Sequence, residues 1–190
     1  MDEDAVLMER VSRGEDAPFR ELFDRHYTRA VNVAYRSLGD ADLAEDIAME
    51  AFERIYRSRG SYRPSAKFST YLYRIVVNLS VNASKRRQAV KMENLDDSRF
   101  EGQPRGQPEG SPNDDPARRL ERDEVARAVR DAILSLPAGQ RTAIILTRYE
   151  QMSYASAAEA MKVSVGALES LLHRAKSNLR KALAGLVEPR

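Results

Sequence analysis

The stretch Asp40-Ala41-Asp42-Leu43-Ala44-Glu45-Asp46-Ile47-Ala48-Met49-Glu50-Ala51-Phe52-Glu53-Arg54-Ile55-Tyr56-Arg57 carries the period of an amphipathic helix. Leu43, Ala44, Ile47, Ala51, Phe52, Ile55 and Tyr56 recur at the three- and four-residue spacings that put side chains on one face. Asp40 stands where an N-cap belongs, and Leu38-Gly39 before it reads as the close of a preceding helix. Upstream, Val6, Val11, Phe19, Leu22, Phe23, Tyr27, Val31, Val33, Ala34, Tyr35 and Leu38 keep the same period. Downstream, Gly60 is expected to end the helix, and after Phe68 the residues Leu72, Ile75, Val76, Leu79 and Ala83 form another apolar stripe. Later helices are predicted over Leu120 to Leu136, with a stop at Pro137, then Arg141 to Glu150, Tyr154 to Met161 and Val165 to Leu186. Strand-type alternation is absent, so the fold class is all-α.

The 190 residues are 42% hydrophobic and 32% charged, a balance that excludes collagenous and fully disordered chains. No run approaches the roughly 18 consecutive apolar residues of a membrane span, so no direct membrane insertion is expected. Met1-Asp2-Glu3-Asp4 is acidic where a secretory signal is basic, which makes the cytoplasm the expected location. The absence of Cys removes disulfides, thiolate nucleophiles, thiolate zinc sites and iron–sulfur clusters together. Any redox response must therefore come from a partner.

Net charge is only +2, but it is unevenly spread. Residues 1–90 hold 15 basic and 14 acidic side chains, residues 91–118 hold 4 and 7, and residues 119–190 hold 12 and 8. The acidic middle also contains Pro104, Pro108, Pro112 and Pro116, with Gly102, Gly106 and Gly110 between them. Proline at that density forbids a helix, and so few hydrophobes cannot offset the entropy of ordering. Residues 94–117 are therefore expected to be a flexible linker. It divides the chain into two small helical domains, 1–93 and 118–190, each near the size at which a core is marginal alone.

On the helix quoted above, Asp42, Asp46, Glu50 and Glu53 follow at i+4, i+4 and i+3 and share one face, with Glu45 beside them. Such a face can be simply solvated, can meet a basic protein partner, or can bind metal through carboxylates. Neither His26 nor His173 follows a Glu by three residues, so the Glu-x-x-His metal signature is missing. No metal or other cofactor is expected.

In Tyr62-Arg63-Pro64-Ser65-Ala66-Lys67-Phe68-Ser69-Thr70-Tyr71-Leu72-Tyr73-Arg74 aromatic residues are interleaved with cations. Aromatic faces stack on unpaired bases while neighbouring cations hold phosphates. The helix that follows sets Arg74, Asn78, Asn82 and Lys85 on one polar stripe and ends in Lys85-Arg86-Arg87. Amide and cationic groups on one face suit base edges and phosphates. Alternatively Phe68, Tyr71 and Tyr73 are core residues and the cations merely favour a helix C-terminus, which leaves the two asparagines without a reason.

Tyr154 to Lys176 has the outline of a helix-turn-helix: a short small-residue helix, a break at Met161 to Ser164, and a second helix with Ser164 as N-cap. Leu168, Leu171, Leu172 and Ala175 are expected inside. Glu169, Ser170, His173, Arg174 and Lys176 then face solvent or a major groove.

The runs Ala34 to Asp40, Ala44 to Arg57 and Phe68 to Asn78 together resemble the second conserved region of bacterial extracytoplasmic-function sigma factors. Leu136-Pro137 through Arg141, Ser153-Tyr154, Ser164-Val165-Gly166 and His173-Arg174-Ala175-Lys176 are similar to that family's fourth region. The resemblance implies a dissociable subunit of RNA polymerase that directs promoter-specific initiation. It implies that Asp42, Glu45, Asp46, Met49, Glu50 and Glu53 dock on core RNA polymerase, whose beta and beta-prime subunits are the expected partners. Tyr62, Arg63, Lys67, Phe68, Tyr71, Arg74, Asn78, Asn82, Lys85 and Arg86 would hold the −10 element of promoter DNA, with one base flipped into the loop. Ser164, Gly166, Ala167, Glu169, Ser170, His173, Arg174 and Lys176 would meet the −35 element. An anti-sigma factor is a further implied partner, whereas no catalytic residue and no small-molecule substrate are. The chain departs from the family's common Trp at Tyr71, Gln at Met49 and Asp at Asn82, and from its common basic residues at Glu169 and Leu171. The last departure points to an atypical −35 sequence.

Two other functions compete. A helix-turn-helix regulator acting on duplex DNA without polymerase leaves the aromatic-basic loop unexplained. A carboxylate enzyme lacks phosphate-loop, dinucleotide, zinc and thiol signatures alike.

Overall fold

The computed structural model describes residues 3–63, 66–93 and 116–184, with side chains placed for 3–63, 66–89 and 122–184. Its helices are α1 (Glu3–Ser12), α2 (Ala17–Leu38), α3 (Ala41–Arg57), α4 (Phe68–Glu93), α5 (Pro116–Leu134), α6 (Ala138–Ile144), α7 (Tyr154–Met161) and α8 (Val165–Ala182). A short 3-10 turn occupies Arg59–Ser61, and α6 runs on into a wider π segment, Ile145–Tyr149. No strand occurs among the described residues, as the absence of alternation predicts. Most of the proposed linker, residues 94–115, lies outside the described residues, as do Pro64, Ser65 and the expected end of the last helix at Leu186.

Local chemistry sets the helix ends. Gly39 closes α2 in the left-handed conformation at φ 72°, its N–H returning to the Tyr35 carbonyl. Asp40 then caps α3 by accepting from the Leu43 N–H at 3.0 Å. Gly60 does not end α3 as expected: the helix closes at Ser58, whose hydroxyl bonds the Arg54 carbonyl at 2.8 Å, and Gly60 lies inside the 3-10 turn. A side chain that satisfies an orphan carbonyl removes the need for a left-handed glycine. The helix expected from Leu120 starts at Pro116, because proline at a first helical position gives up only an N–H that has no partner anyway. The segment expected from Arg141 starts at Ala138 and widens at Ile145. Thr142, Ala143, Ile144, Ile145 and Leu146 are all buried, because α2, α7 and α8 surround this run.

In the first domain α2, α3 and α4 pack around Leu22, Val33, Ile47, Phe52, Ile55, Leu72 and Val76. Phe52 is the aromatic hub, 4.9 Å from the Phe23 ring and 6.1 Å from Phe19. α1 covers this bundle through Leu7, Met8 and Val11, and Asp4 accepts from His26 Nε2 at 2.7 Å. In the second domain α6 lies against α8, and α8 against α7.

The two domains are in contact rather than held apart. α7 lies across α4, while α5, α6 and the π segment lie along α2. Gly39 belongs to this seam, since a Cβ there would stand 2.8 Å from Leu134 Cδ1. Gly39→Ala is expected to lower stability by about 1–2 kcal/mol, from the left-handed backbone alone. Gly60→Ala, with open space around it, should stay within about 0.5 kcal/mol of the unmodified chain. Thermal unfolding followed by circular dichroism compares the two.

Candidate nucleic-acid interface

α3 presents Asp42, Glu45, Asp46, Met49, Glu50 and Glu53 to solvent together, because its apolar stripe is fixed against α2 and α4. Met49 is 53% exposed, an apolar knob among carboxylates. The strip is partly compensated from its own helix: Arg54 pairs with Glu50 at 2.6 Å and Arg57 with Glu53 at 2.5 Å. Such exposed pairs add only about 0.3–0.5 kcal/mol. The remaining field reaches Tyr27, whose hydroxyl pKa is pushed up by burial and by Glu45 and Asp46. Arg86, expected with the asparagine stripe, instead lines a 440 Å³ groove with Asp40, Asp42, Asp46 and Arg87. Arg87 bonds Asp40 there at 2.7 Å.

The aromatic-basic loop divides between core and cavity. Phe68 is 0% exposed, with its ring 5.2 Å from His26, so it cannot touch DNA without unfolding α4. The reason is its place as first residue of α4, one turn before Leu72 on the same buried stripe. Tyr73 is also buried, at 2% exposure, on the side of α4 that meets the second domain. Tyr62, at 9% exposure, and Thr70 are buried as well, yet with Arg63, Tyr71 and Arg74 they line one cavity of 220 Å³ together with Ser61, Ala66 and Glu159. Tyr62 and Tyr71 meet edge to face at 5.7 Å, and the Arg74 guanidinium stands 5.2 Å from the Tyr71 ring. Lys67 is exposed at the base of this loop. Asn78, Asn82 and Lys85 continue along the solvent side of α4 below Arg74.

The helix-turn-helix is formed by α7 and α8. Ser153 caps α7 by accepting from Ser156 N–H, and Ser164 caps α8 by accepting from Ala167 N–H, each at 3.1 Å. Lys162 makes the turn in the left-handed conformation at φ 56°. Leu168, Leu172 and Ala175 are buried, and Leu171 is half-buried with Cδ2 3.5 Å from where a Cβ on Gly139 would lie. Ser164, Gly166, Ala167, Glu169, Ser170, His173, Arg174 and Lys176 are all exposed. The Ser170 hydroxyl donates back to the Gly166 carbonyl at 3.0 Å, which leaves its oxygen lone pairs facing outward as acceptors.

The sequence reading missed the junction between the domains. Tyr73 donates to Glu150 Oε2 at 3.0 Å, and burial with that carboxylate pushes the phenol pKa up, so the proton stays on Tyr73. Arg141 is half-buried and donates to the carbonyls of Ser37 and Leu136, while burial lowers its guanidinium pKa. A signal existed in α4. Besides Leu72, Val76 and Leu79 it buries Thr70, Tyr73, Val77 and Ser80, a second stripe that needs a second partner. Among the described residues no group of three or more His, Cys, Asp or Glu could hold a metal ion, and no helix is long and apolar enough to cross a membrane.

The model of sigma-70 region 2 matches residues 22–90 and that of sigma-70 region 4 matches residues 126–179. The chain is 33% identical to the RNA polymerase sigma-H factor of Pseudomonas aeruginosa, over 98% of this chain and 96% of that one. It is 31% identical to the ECF RNA polymerase sigma-E factor of Haemophilus influenzae, over 97% of each. Among solved structures it is similar to CnrH in complex with the cytosolic domain of CnrY, at TM-score 0.69 and 25% identity over 98% of this chain and 100% of that one. The sigma factor RpoE from Bartonella quintana, solved with the anti-sigma factor NepR, shares the fold at TM-score 0.70 and 19% identity over 90% and 98%. Matches to both regions in this order, and to relatives along their whole length, place the chain in the sigma-70 family as an ECF RNA polymerase sigma factor.

Proposed function

We propose that the chain joins core RNA polymerase, directs it to promoters and helps open them, acting by binding with no covalent step of its own. Residues 1–93 serve as the polymerase-docking and −10 module, and residues 118–190 as the −35 module. The observation that carries this reading is the cavity of Tyr62, Tyr71 and Arg74, a stacking surface with a cation over it, beside the Asn78/Asn82 stripe. A regulator of duplex DNA alone has no use for such a cavity, because paired bases keep their faces stacked inside the helix.

The acidic face of α3, with Met49 at its centre, suits a basic surface of the polymerase. Opposite charge steers the encounter and the apolar knob adds contact area. Tyr71, half-exposed and braced by the buried Tyr62 ring, then stacks on an unpaired base of the −10 strand, and Arg63, Lys67 and Arg74 hold its phosphates. Phe68 acts from within, holding the start of α4. α8 enters the major groove of the −35 element, where Glu169 accepts from a cytosine amino group and Arg174 and Lys176 meet phosphates. The similar sigma factor RpoE solved with the anti-sigma factor NepR supports an anti-sigma partner for this chain.

Charge reversal by Asp46→Lys with Glu50→Lys is expected to weaken binding to purified core polymerase by about 100-fold or more, with circular dichroism unchanged. Copurification of that variant with core overturns the docking face. Tyr71→Ala should cost about 1–3 kcal/mol in single-strand capture and reduce permanganate reactivity of the −10 region, with duplex gel shifts unaffected. Phe68→Ala should instead lower folding stability by about 3–5 kcal/mol. In a promoter-library selection Glu169→Arg should change the preferred −35 base, by about 1–3 kcal/mol of discrimination; an unchanged preference removes Glu169 from readout.

A further inference from the structure

The chain has no Cys but six Met. Of the four whose side chains are described, Met8 is fully buried, Met152 and Met161 are half-buried against the core, and Met49 is 53% exposed. Oxidation of a thioether follows its access to the oxidant. The expectation that any redox response must come from a partner rests on the absence of thiols and does not cover a thioether.

Met49 also sits where a change of polarity has a consequence. On α3, Glu45 and Asp46 precede it by one turn, Glu50 adjoins it and Glu53 follows by one turn, so carboxylates surround it on the helix surface. Arg54 and Arg57 compensate Glu50 and Glu53 on its C-terminal side, through pairs at 2.6 and 2.5 Å. On its N-terminal side, burial and the field of Glu45 and Asp46 together raise the Tyr27 hydroxyl pKa. A negative potential that opposes a phenolate favours the positive charge that develops on sulfur as it attacks an oxidant.

The chemistry is a two-electron oxygen transfer from a neutral peroxide. A sulfur lone pair forms the S–O bond as the O–O bond breaks, and the departing hydroxide takes the proton left on the first oxygen and becomes water. Sulfur is oxidised and the peroxide is reduced. Two thiols of an external reductant reverse the step, carrying the oxygen off as water and closing to a disulfide. We propose that Met49 is a reversible oxidation site at which peroxide loosens the α3 docking face. The thioether is the apolar knob of that face, and its sulfoxide is a polar acceptor that must shed water against the partner. The carboxylates are unchanged, so steering to a basic surface persists and the loss falls on the lifetime of the complex. This rests on the reading of α3 as the polymerase-docking face.

The full chain is treated with hydrogen peroxide, freed of it by desalting, then digested for mass spectrometry or mixed with purified core RNA polymerase. Met49 should gain an oxygen before Met8, Met152 and Met161 do, with circular dichroism unchanged. Affinity for core should fall about tenfold, mostly through faster dissociation. Methionine sulfoxide reductases of both epimer specificities, supplied with a dithiol, should restore it. Met49→Leu has no sulfur to oxidise, so its affinity for core, whatever its starting value, should be the same before and after peroxide. Oxidation of Met152 or Met161 ahead of Met49 overturns the site. A Met49 sulfoxide that leaves core affinity unchanged or higher, or an equal fall in Met49→Leu, overturns its effect on docking. Failure of the untreated chain to bind core refutes the docking reading instead, and mass spectrometry reads oxidation at Met49 without the polymerase.

Discussion

A carboxylate that leaves water must be met by donors, and the Glu150 side chain, 8% exposed, is met from the other domain. Tyr73 supplies an O–H and Arg36 a positive charge, and neither residue lies in the chain segment that carries Glu150. The junction therefore satisfies polar groups that neither domain can satisfy alone. It also explains why α4 is buried on two stripes. One stripe completes the core with α2 and α3, and the other receives α7, whose Ala157, Ala158 and Ala160 are small enough to let helices approach closely.

The same junction is not built for maximal stability. Arg141 Nε and the Tyr35 hydroxyl are buried without a hydrogen-bond partner among the described residues, and each such group costs about 1–3 kcal/mol. Arg141 bonds the Ser37 carbonyl across the seam, and Arg130 stands 5.9 Å over the Tyr35 ring. The Tyr73–Glu150 bond at 3.0 Å fixes the geometry of this junction, while the Arg36–Glu150 approach is longer at 3.7 Å.

Most of the architecture was legible because periodicity and capping are local. Gly39 with Asp40, and Ser164 ahead of α8, announce helix boundaries through atoms no more than four residues away. Gly60 misled because a glycine after a helix usually closes it, while here the Ser58 hydroxyl took that task. Phe68 misled for a different reason: an aromatic among cations looks the same in sequence whether its ring points to a base or to His26. Tyr71 and Arg74 stand one turn apart at the start of α4 and line one cavity, and Tyr62 joins them from the preceding loop, a placement that helical spacing does not reach. The domain contact lay beyond local rules, for it joins residues such as Tyr73 and Glu150 that are 77 positions apart.

The energetic consequence follows from populations. When only a fraction f of molecules has the two domains apart, the apparent affinity of a surface buried between them for any ligand falls by that fraction, so a separated population of about 1% weakens binding there about 100-fold. A ligand of the outer face of α3 meets no such penalty, because Asp42, Glu45, Asp46, Met49, Glu50 and Glu53 face solvent with the domains in contact. A partner that engages α3 and also separates the domains removes the penalty at the moment of docking. The contact between the domains thus sets how readily a surface between them is reached, without any change in the residues that form it.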